Sequence, residues 1–417
     1  MPRKSSRVIW LAGILALVFI AIVLRPAVAA VGPLLHEISD SLPLTPTQTS
    51  ILASAPVFCF GLGAFLGPML VRRLGLHHAM FFVLILLATA TVGRLFGGSI
   101  SMLAGTIGVG LAIAVANVLL PTVVRTDYPN RIALITGVYT TLLALSASFA
   151  ASTAVPWSHA LGGWQPALMV WGAPSVIAVI LWATQLHRVE KPLANSTGVT
   201  KTQSDEKRAV VRSRITWLLV GFFGLQSLGF YAILGWLPNA LITAGLEPAA
   251  AGGILGLTTA VGIPFGLLLS SFVGRFKSLA WWAAGASLLP AVGFTLLSIE
   301  LASAGSNLSS LGPADSALAL RAAIAGVLIG LGQASTFPLS LSLIGSRASS
   351  RNQTTVLSAL SQGWGYLLAG LGTLMVGVIA DASGSFAIPF AILAALSFVQ
   401  IVVGFLAGRP GQIPAGD

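Results

Sequence analysis

Charged residues are scarce in this chain. Asp, Glu, Lys and Arg account for 8% of its 417 residues, whereas hydrophobic residues account for 56%. A soluble protein covers its surface with about 25% charged residues. Because this chain has so few of them, most of its outer surface must face lipid, and the composition excludes a soluble globular protein.

Acidic residues, histidine and cysteine are also few, which restricts the chemistry of the apolar core. No Asp or Glu lies in the middle of an apolar stretch, the five histidines lie in loops or near the ends of stretches, and Cys59 is the only cysteine. A metal site needs several His, Cys or carboxylate ligands, and hydrolysis needs paired carboxylates. The sequence therefore predicts no metal, no cofactor and no internal disulfide. It also lacks the buried acid that usually marks a proton relay.

Long apolar stretches are abundant. Twelve of them approach the roughly 20 residues that a membrane-spanning helix needs, and the alternating ten-residue segments of an outer-membrane barrel are absent. We therefore predict an all-α polytopic membrane protein with twelve transmembrane helices. The predicted spans are 8–35, 47–71, 79–97, 101–124, 132–157, 164–186, 215–241, 249–273, 279–300, 318–345, 353–380 and 385–408.

The distribution of the net charge of +11 indicates a membrane topology. Cytoplasmic loops of membrane proteins carry an excess of Lys and Arg, and here the basic residues fall in alternate loops. Both termini are therefore predicted to be cytoplasmic, and no nucleic-acid partner is expected. The basic loops carry Arg3, Lys4, Arg7, Arg72, Arg73, Arg125, Arg131, Arg275, Lys277, Arg347, Arg351, Arg409 and the cluster 188–214. The opposite loops carry Glu37, Asp40, Glu247, Glu300, Asp315 and Asp381, with Arg94 and Arg321 near that side as anchors or loop partners.

A polar segment divides the chain into two sets of six spans. Residues 188–214 read "RVEKPLANSTGVTKTQSDEKRAVVRSR" and predict a flexible cytoplasmic linker between six-helix bundles at 1–187 and 215–417. The halves repeat each other, because "GAFLGPMLVRRLG" (63–75) and "GIPFGLLLSSFVG" (262–274) place three glycines at identical spacing. Two parallel six-helix halves are typical of the major facilitator architecture, whose substrate site lies near the midplane.

Five stretches carry a resemblance to a known family. They are "LRPAVAAVGPLL" (24–35), "GVGLAIAVANVLLP" (108–121), "YAILGWLPNAL" (231–241), "GLGQASTFPLSL" (330–341) and "LSQGWGYLLAGLG" (360–372). The chain resembles the cyanate permease and 2-nitroimidazole transporter family of the major facilitator superfamily. The resemblance implies a transporter, not an enzyme, working as a monomer in a bacterial cytoplasmic (inner) membrane on a cyanate-like or nitroimidazole-like solute. The loop "GPMLVRRLGLHH" (67–78) departs from the superfamily signature, since it has an extra residue between its glycines and no acid.

Arg25 is the only charged residue deep within a predicted span. It lies about 27 Å along the helix from the basic N-terminal cluster, which places it past the midplane. A charge at this depth costs at least about 2.5–3.5 kcal/mol. Pro26 and Pro33 follow it and are predicted to kink the helix near a cavity.

Small residues surround Arg25 on its helical face, namely Ala21, Ala29 and Gly32. They leave room for a ligand beside the guanidinium group, which is a planar and permanently charged donor of hydrogen bonds. Structural pairing, or snorkelling of the side chain to the interface, is the alternative interpretation. We predict that Arg25 binds a small anion or a polar planar group.

Polar residues on other spans are candidates to complete this binding site. Each of them alone is at least as well explained by a hydrogen bond between helices. Together they form polar stripes on the fourth, fifth, seventh, tenth and eleventh spans. The predicted substrate-binding residues besides Arg25 are Asn117, Tyr139, Gln226, Tyr231, Gln333, Gln362 and Tyr366.

The sequence thus predicts a secondary transporter that works by alternating access and binds a small, anionic solute. One alternative is a proton-driven multidrug exporter of neutral or cationic compounds, which a buried acid would have favoured. A second is an integral-membrane enzyme, which needs a cluster such as His36, Glu37 and Asp40, although a solvated outer loop explains that cluster more simply. The two-half architecture argues against an ion channel.

Overall fold

The structure, a computed structural model, describes residues 3–186, 201–272, 278–306 and 316–414, and these form sixteen α-helices and one short 3₁₀ turn, without a strand. The helices are α1 (Arg3–Leu24), α2 (Pro26–Ala29), α3 (Val31–Ser41), α4 (Pro46–Leu74), α5 (Leu76–Gly93), α6 (Gly98–Asp127), α7 (Ile132–Leu161), α8 (Trp164–Met169), α9 (Gly172–Ala183), α10 (Lys201–Arg212), α11 (Arg214–Thr243), α12 (Pro248–Phe272), α13 (Ala280–Ser306), α14 (Ser316–Arg347), α15 (Arg351–Ser383) and α16 (Ala387–Gly408). Residues 188–200 of the predicted linker, together with Gly274, Arg275, Lys277 and Asp315, lie outside the described residues.

The helices have the length and surface of membrane spans. Eleven helical segments of the described chain are long and apolar enough to cross a bilayer, and the apolar part of α12, Pro248–Pro264, is shorter. Large apolar side chains are exposed on these helices, for example Ile100 at 82% and Trp281 at 78%. A surface of this kind suits lipid, so the predicted all-α polytopic class is confirmed.

The first predicted span ended at residue 35, but the structure continues it as α3 to Ser41. Glu37 and Asp40 therefore lie on a helix and not in the predicted loop, although the Asp40 side chain is exposed. The helix ends where Leu42 adopts extended dihedral angles, φ −108° and ψ 136°. Leu42 precedes a proline, and this position disfavours helical dihedral angles.

The predicted flexible linker contains a helix, α10, which corrects the prediction for residues 201–212. Val210 is fully buried in a cluster with Leu219, Phe222 and Leu357. The Trp217 indole N–H also donates to the Val211 carbonyl at 3.0 Å. The charged composition suggested a solvated segment, yet its last turn carries Val210, which buries its apolar side chain, next to the exposed Val211.

Contacts along the chain define two compact units. The first unit comprises Met1–Lys191 and Pro248–Gly256, and the second comprises Pro192–Glu247 and Leu257–Asp417. The first unit thus holds α1–α9 and the start of α12. The second holds α10, α11, the rest of α12 and α13–α16.

The glycine repeat noted in the sequence marks equivalent helix contacts in the two units. In the first unit, a Cβ on Gly63 would overlap Ala114, so α4 and α6 meet almost backbone to backbone. In the second, a Cβ on Gly262 would lie 2.6 Å from Ala334 Cβ and 3.0 Å from the Gly330 carbonyl oxygen, where α12 meets α14. Glycine is needed at both contacts because the helices approach too closely for a side chain.

Candidate functional site

Arg25 lies at a break in the first membrane-spanning segment. Helix α1 ends at Leu24, and Pro26 begins the four-residue helix α2. The Arg25 carbonyl accepts hydrogen bonds from the Ala29 N–H at 2.9 Å and the Val28 N–H at 3.1 Å. Pro26 has no N–H, so it cannot continue the hydrogen bonding of α1. The half-buried Arg25 therefore lies between the long helix α1 and the four-residue helix α2.

Side chains from other helices hydrogen-bond to the backbone on both sides of Arg25. One turn before it, the Ala21 carbonyl accepts a hydrogen bond from the Ser146 hydroxyl of α7 at 3.2 Å. Two residues after it, the Ala27 carbonyl accepts a hydrogen bond from Nη1 of Arg94 at 2.9 Å. The backbone that carries Arg25 is therefore fixed by α7 and by the end of α5.

Arg94 is a residue whose role the sequence did not reveal. The prediction treated it as an anchor or loop partner, but its side chain is 1% exposed. Its Nε and Nη2 atoms are buried and have no hydrogen-bond partner among the described residues. Gly105 makes room for it, since a Cβ there would lie 2.9 Å from Arg94 Cα. The signal in the sequence was a glycine-rich start of α6 directly after this arginine.

Arg321 behaves as predicted for a loop partner. Its Nε lies 3.2 Å from the Glu300 carboxylate, and its side chain is 54% exposed. The two arginines near the same predicted membrane face thus differ completely in burial.

The other predicted residues of the first unit lie on α6 and α7. Tyr139 is buried and lies two turns before Ser146 on the same face of α7. Asn117 is half-buried on α6, four residues before Pro121. Tyr139 therefore lies on the face of α7 that also carries Ser146, whose hydroxyl donates a hydrogen bond to the backbone of α1.

In the second unit, the crossing of α11 and α15 brings two predicted tyrosines together. The helices approach closely because a Cβ on Gly224 would lie only 3.2 Å from Gly365 Cα. The Tyr231 and Tyr366 rings meet edge to face, with centroids 6.1 Å apart. Tyr366 also packs against Phe223 at 5.0 Å. Two phenol groups predicted from separate sequence stretches thus share one cluster.

The three predicted glutamines of the second unit have different surroundings. The Gln226 side chain is buried and donates to the Ser227 hydroxyl at 2.6 Å. The Gln362 amide donates to the Ser358 hydroxyl at 2.9 Å. Gln333 lies against Gly229, and its buried Oε1 has no hydrogen-bond partner within the described part of the chain. The amide oxygen of Gln333 is therefore available to accept a hydrogen bond.

Two carboxylates of the first unit have partners that the sequence did not indicate, a serine hydroxyl for Glu37 and a histidine ring for Asp127. Glu37, on α3, accepts hydrogen bonds from the Ser158 hydroxyl at 2.7 and 2.6 Å. His77 Nε2 lies 3.0 Å from Asp127 Oδ2, and both side chains are less than 10% exposed, at 4% and 7%. The His77 ring also stacks on Trp182 at 5.9 Å. The His77–Asp127 contact joins the start of α5 to the end of α6, and the Glu37–Ser158 contact joins α3 to the last turns of α7.

Comparison with known proteins identifies relatives over the whole chain. The family model described as Major Facilitator Superfamily matches residues 9–312. A 2-nitroimidazole transporter of Escherichia coli (strain K12) is 32% identical over 409 residues, covering 98% of each chain. Cyanate transport protein CynX of the same organism is 26% identical over 407 residues, covering 96% of this chain and 98% of the relative.

Solved structures show the same fold. The crystal structure of a D-xylose-proton symporter superposes with a TM-score of 0.73 over 96% of this chain and 98% of the other, at 14% identity. At this identity, the similarity concerns the arrangement of helices and carries no information about the substrate.

Proposed function

The chain belongs to the major facilitator superfamily, so it is a multi-pass membrane transporter and not an enzyme, and we propose that its substrate is a small anionic or polar planar solute. We propose further that it works by alternating access, as a monomer in a bacterial cytoplasmic membrane with both termini in the cytoplasm. Arg25 is the central substrate-binding charge of this proposal.

The position of Arg25 is the observation that carries the proposal. A half-buried guanidinium group lies at a helix break within a span, and the backbone around it is held by Ser146 and Arg94. An intramembrane charge is costly and is a functional-site hypothesis by default. A planar guanidinium donates two parallel hydrogen bonds to a small anion or to a nitro group, which a point charge cannot do.

Amide and phenol groups are proposed to supply the remaining contacts with the solute. In the first unit these are Asn117 and Tyr139. In the second they are Gln226, Tyr231, Gln333, Gln362 and Tyr366. Gln333 is the best supported of them, because its buried Oε1 retains hydrogen-bonding capacity. Buried acceptors of this kind are normally satisfied, so a ligand or water is expected to bind there.

The names of two relatives supply the probes for this proposal. One is a 2-nitroimidazole transporter and the other a cyanate transport protein. Cyanate is a small linear anion, and 2-nitroimidazole is a planar ring with a nitro group. Both offer oxygen or nitrogen acceptors to a guanidinium group, so both fit the chemistry of Arg25.

Transport in proteoliposomes tests the role of Arg25. Uptake of labelled cyanate and of 2-nitroimidazole is measured for the purified full-length chain at two pH gradients. Arg25→Ala is expected to lower uptake at least about thirtyfold, since loss of one partner of a desolvated charge pair costs at least about 2 kcal/mol. Arg25→Lys is expected to lose about tenfold, because the planar fork is lost.

Wild-type rates for Arg25→Ala would contradict the proposal. Counterflow with neutral and cationic aromatic compounds separates it from the proton-driven exporter. If such compounds are exchanged, if a pH gradient drives their transport, and if Arg25→Ala leaves that transport unchanged, the exporter would be favoured.

A further inference from the structure

The Arg94 side chain occupies an enclosed position at the end of α5. Its Nη1 donates to the Ala27 carbonyl at 2.9 Å, whereas Nε and Nη2 have no hydrogen-bond partner among the described residues. The backbone of α6 closes over it at Gly105. A substitute that fills this space without a charge would remove the cost of burying a guanidinium group.

Helix ends, rather than acids, surround this buried charge. Arg94 is the C-cap of α5, and it reaches the carbonyl of Ala27 near the end of α2. No carboxylate pairs with Arg94 in the parts of the chain that the structure describes. The C-terminal end of a helix carries partial negative charge and favours a cation. The position at the C-terminal end of α5 therefore offsets part of the cost of burying this charge.

Ala27 lies two residues from Arg25 in the four-residue helix α2. Arg25 and Ala30, the residues on either side of α2, both have right-handed helical dihedral angles, so α2 is a single turn within a kinked helix. Because Pro26 lacks the N–H that would bond it to α1, contacts with other elements help to set the orientation of this turn. The Ser146 bond fixes the backbone on one side of Arg25, and the Arg94 bond fixes it on the other. Loss of the Arg94 bond would free α2 to shift and carry Arg25 with it.

We infer that Arg94 is a positioning residue for substrate binding, because it holds α2 and thereby fixes the orientation of Arg25. This inference rests on the proposed function of Arg25 and adds a second arginine with a different requirement. Arg25 needs its planar fork, whereas Arg94 uses one nitrogen. A lysine should therefore serve at position 94 and fail at position 25.

Kinetics of paired variants tests this difference. KM and maximal rate for labelled cyanate and for 2-nitroimidazole are measured in proteoliposomes with wild type, Arg94→Met, Arg94→Lys, Arg25→Lys and Arg25→Ala. Arg94→Met is expected to raise KM about tenfold, because a small misplacement of a binding group is costly. Arg94→Lys is expected to restore KM to within about twofold of wild type, which Arg25→Lys does not do.

Hydrogen exchange supplies a readout that does not depend on any substrate. Peptides covering residues 24–31 of the full-length chain are expected to exchange faster in Arg94→Met than in wild type, and Arg94→Lys should reverse the change. Arg321→Met is the matched control, since Arg321 is an exposed arginine that pairs with Glu300 and is remote from α2 in the sequence. It should change neither the exchange of these peptides nor KM. If Arg94→Met fails to insert, Arg94→Gln makes the same comparison with a side chain too short to reach Ala27.

The outcomes separate the two ideas. A wild-type KM for Arg94→Met, combined with inactivity of Arg25→Ala, overturns the positioning role alone. Unchanged exchange of residues 24–31 in Arg94→Met also overturns it. Wild-type transport by Arg25→Ala overturns the proposed function and this inference together.

Discussion

Burial decides what a histidine–aspartate pair contributes at the scale of single residues. His77 and Asp127 lie 3.0 Å apart with side chains 4% and 7% exposed, whereas His36 and Asp40 lie 3.4 Å apart with side chains 58% and 66% exposed. The chemistry of the two pairs is the same. Water replaces the partner easily in the exposed pair and hardly at all in the buried one.

Asp127→Ala is therefore expected to destabilise the chain by about 1–3 kcal/mol, because it leaves a buried ring nitrogen of His77 without this partner. Asp40→Ala, the matched control in the exposed pair, should leave the melting temperature unchanged. Thermal unfolding of both purified variants in detergent measures the difference. Equal melting temperatures for the two variants would show that the buried contact is not stabilising.

At the scale of residues, the sequence supported predictions only where the signal was local. The charge of Arg25 and the adjacent Pro26 lie in one stretch, so the sequence predicted both the break and the candidate site. Arg94 acts on Ala27, 67 residues away along the chain. One sequence contains no information about such a pairing, and the general rule for a basic residue near a membrane face favours an anchor.

Helices were predicted well at the scale of elements, because apolar length and flanking charge specify them. The predicted span 215–241 lies within α11 (Arg214–Thr243), and 353–380 lies within α15 (Arg351–Ser383). The misses were the end of α3 beyond residue 35 and the helix α10, where polar and charged residues lie on a helix. There the packing of a few residues such as Val210, not hydropathy, determines the structure.

Two glycines of the first unit should respond oppositely to the same substitution. Gly63→Ala is expected to destabilise the chain by about 1–3 kcal/mol, since its Cβ would overlap Ala114 and the backbones must separate. Gly137→Ala on α7 should be stabilising by about 0.5–1 kcal/mol, because nothing lies within 4 Å of the new Cβ and a helical glycine is entropically costly. Melting temperatures of the two variants in one detergent give the comparison, and a stabilised Gly63→Ala would refute the close contact of α4 with α6.

At the scale of the whole molecule, the repeated halves and alternating loop charges predicted the class and the family. The substrate could not be predicted in the same way, because it depends on a few side chains from helices far apart in the sequence. The shared fold of a sugar symporter at 14% identity illustrates this, since one architecture serves different solutes.

Orientation in the membrane is a prediction of the loop charges alone. Asn130 and Ala160 are exposed near opposite ends of α7, and the native Cys59 is buried. In intact cells, a membrane-impermeant maleimide is expected to label Ala160→Cys, and Asn130→Cys only after permeabilisation. Labelling of Asn130→Cys from outside would place the termini on the other side of the membrane.

The charge at the broken first span also has an electrical consequence. If Arg25 binds a monovalent anion, as proposed, the loaded site would carry one positive charge fewer than the empty site. A full elementary charge crossing the membrane exchanges about 2.3 kcal/mol with each 100 mV of potential. Under this proposal, membrane voltage would act differently on the loaded and on the empty transporter, and binding at a single arginine would make turnover sensitive to the energetic state of the cell.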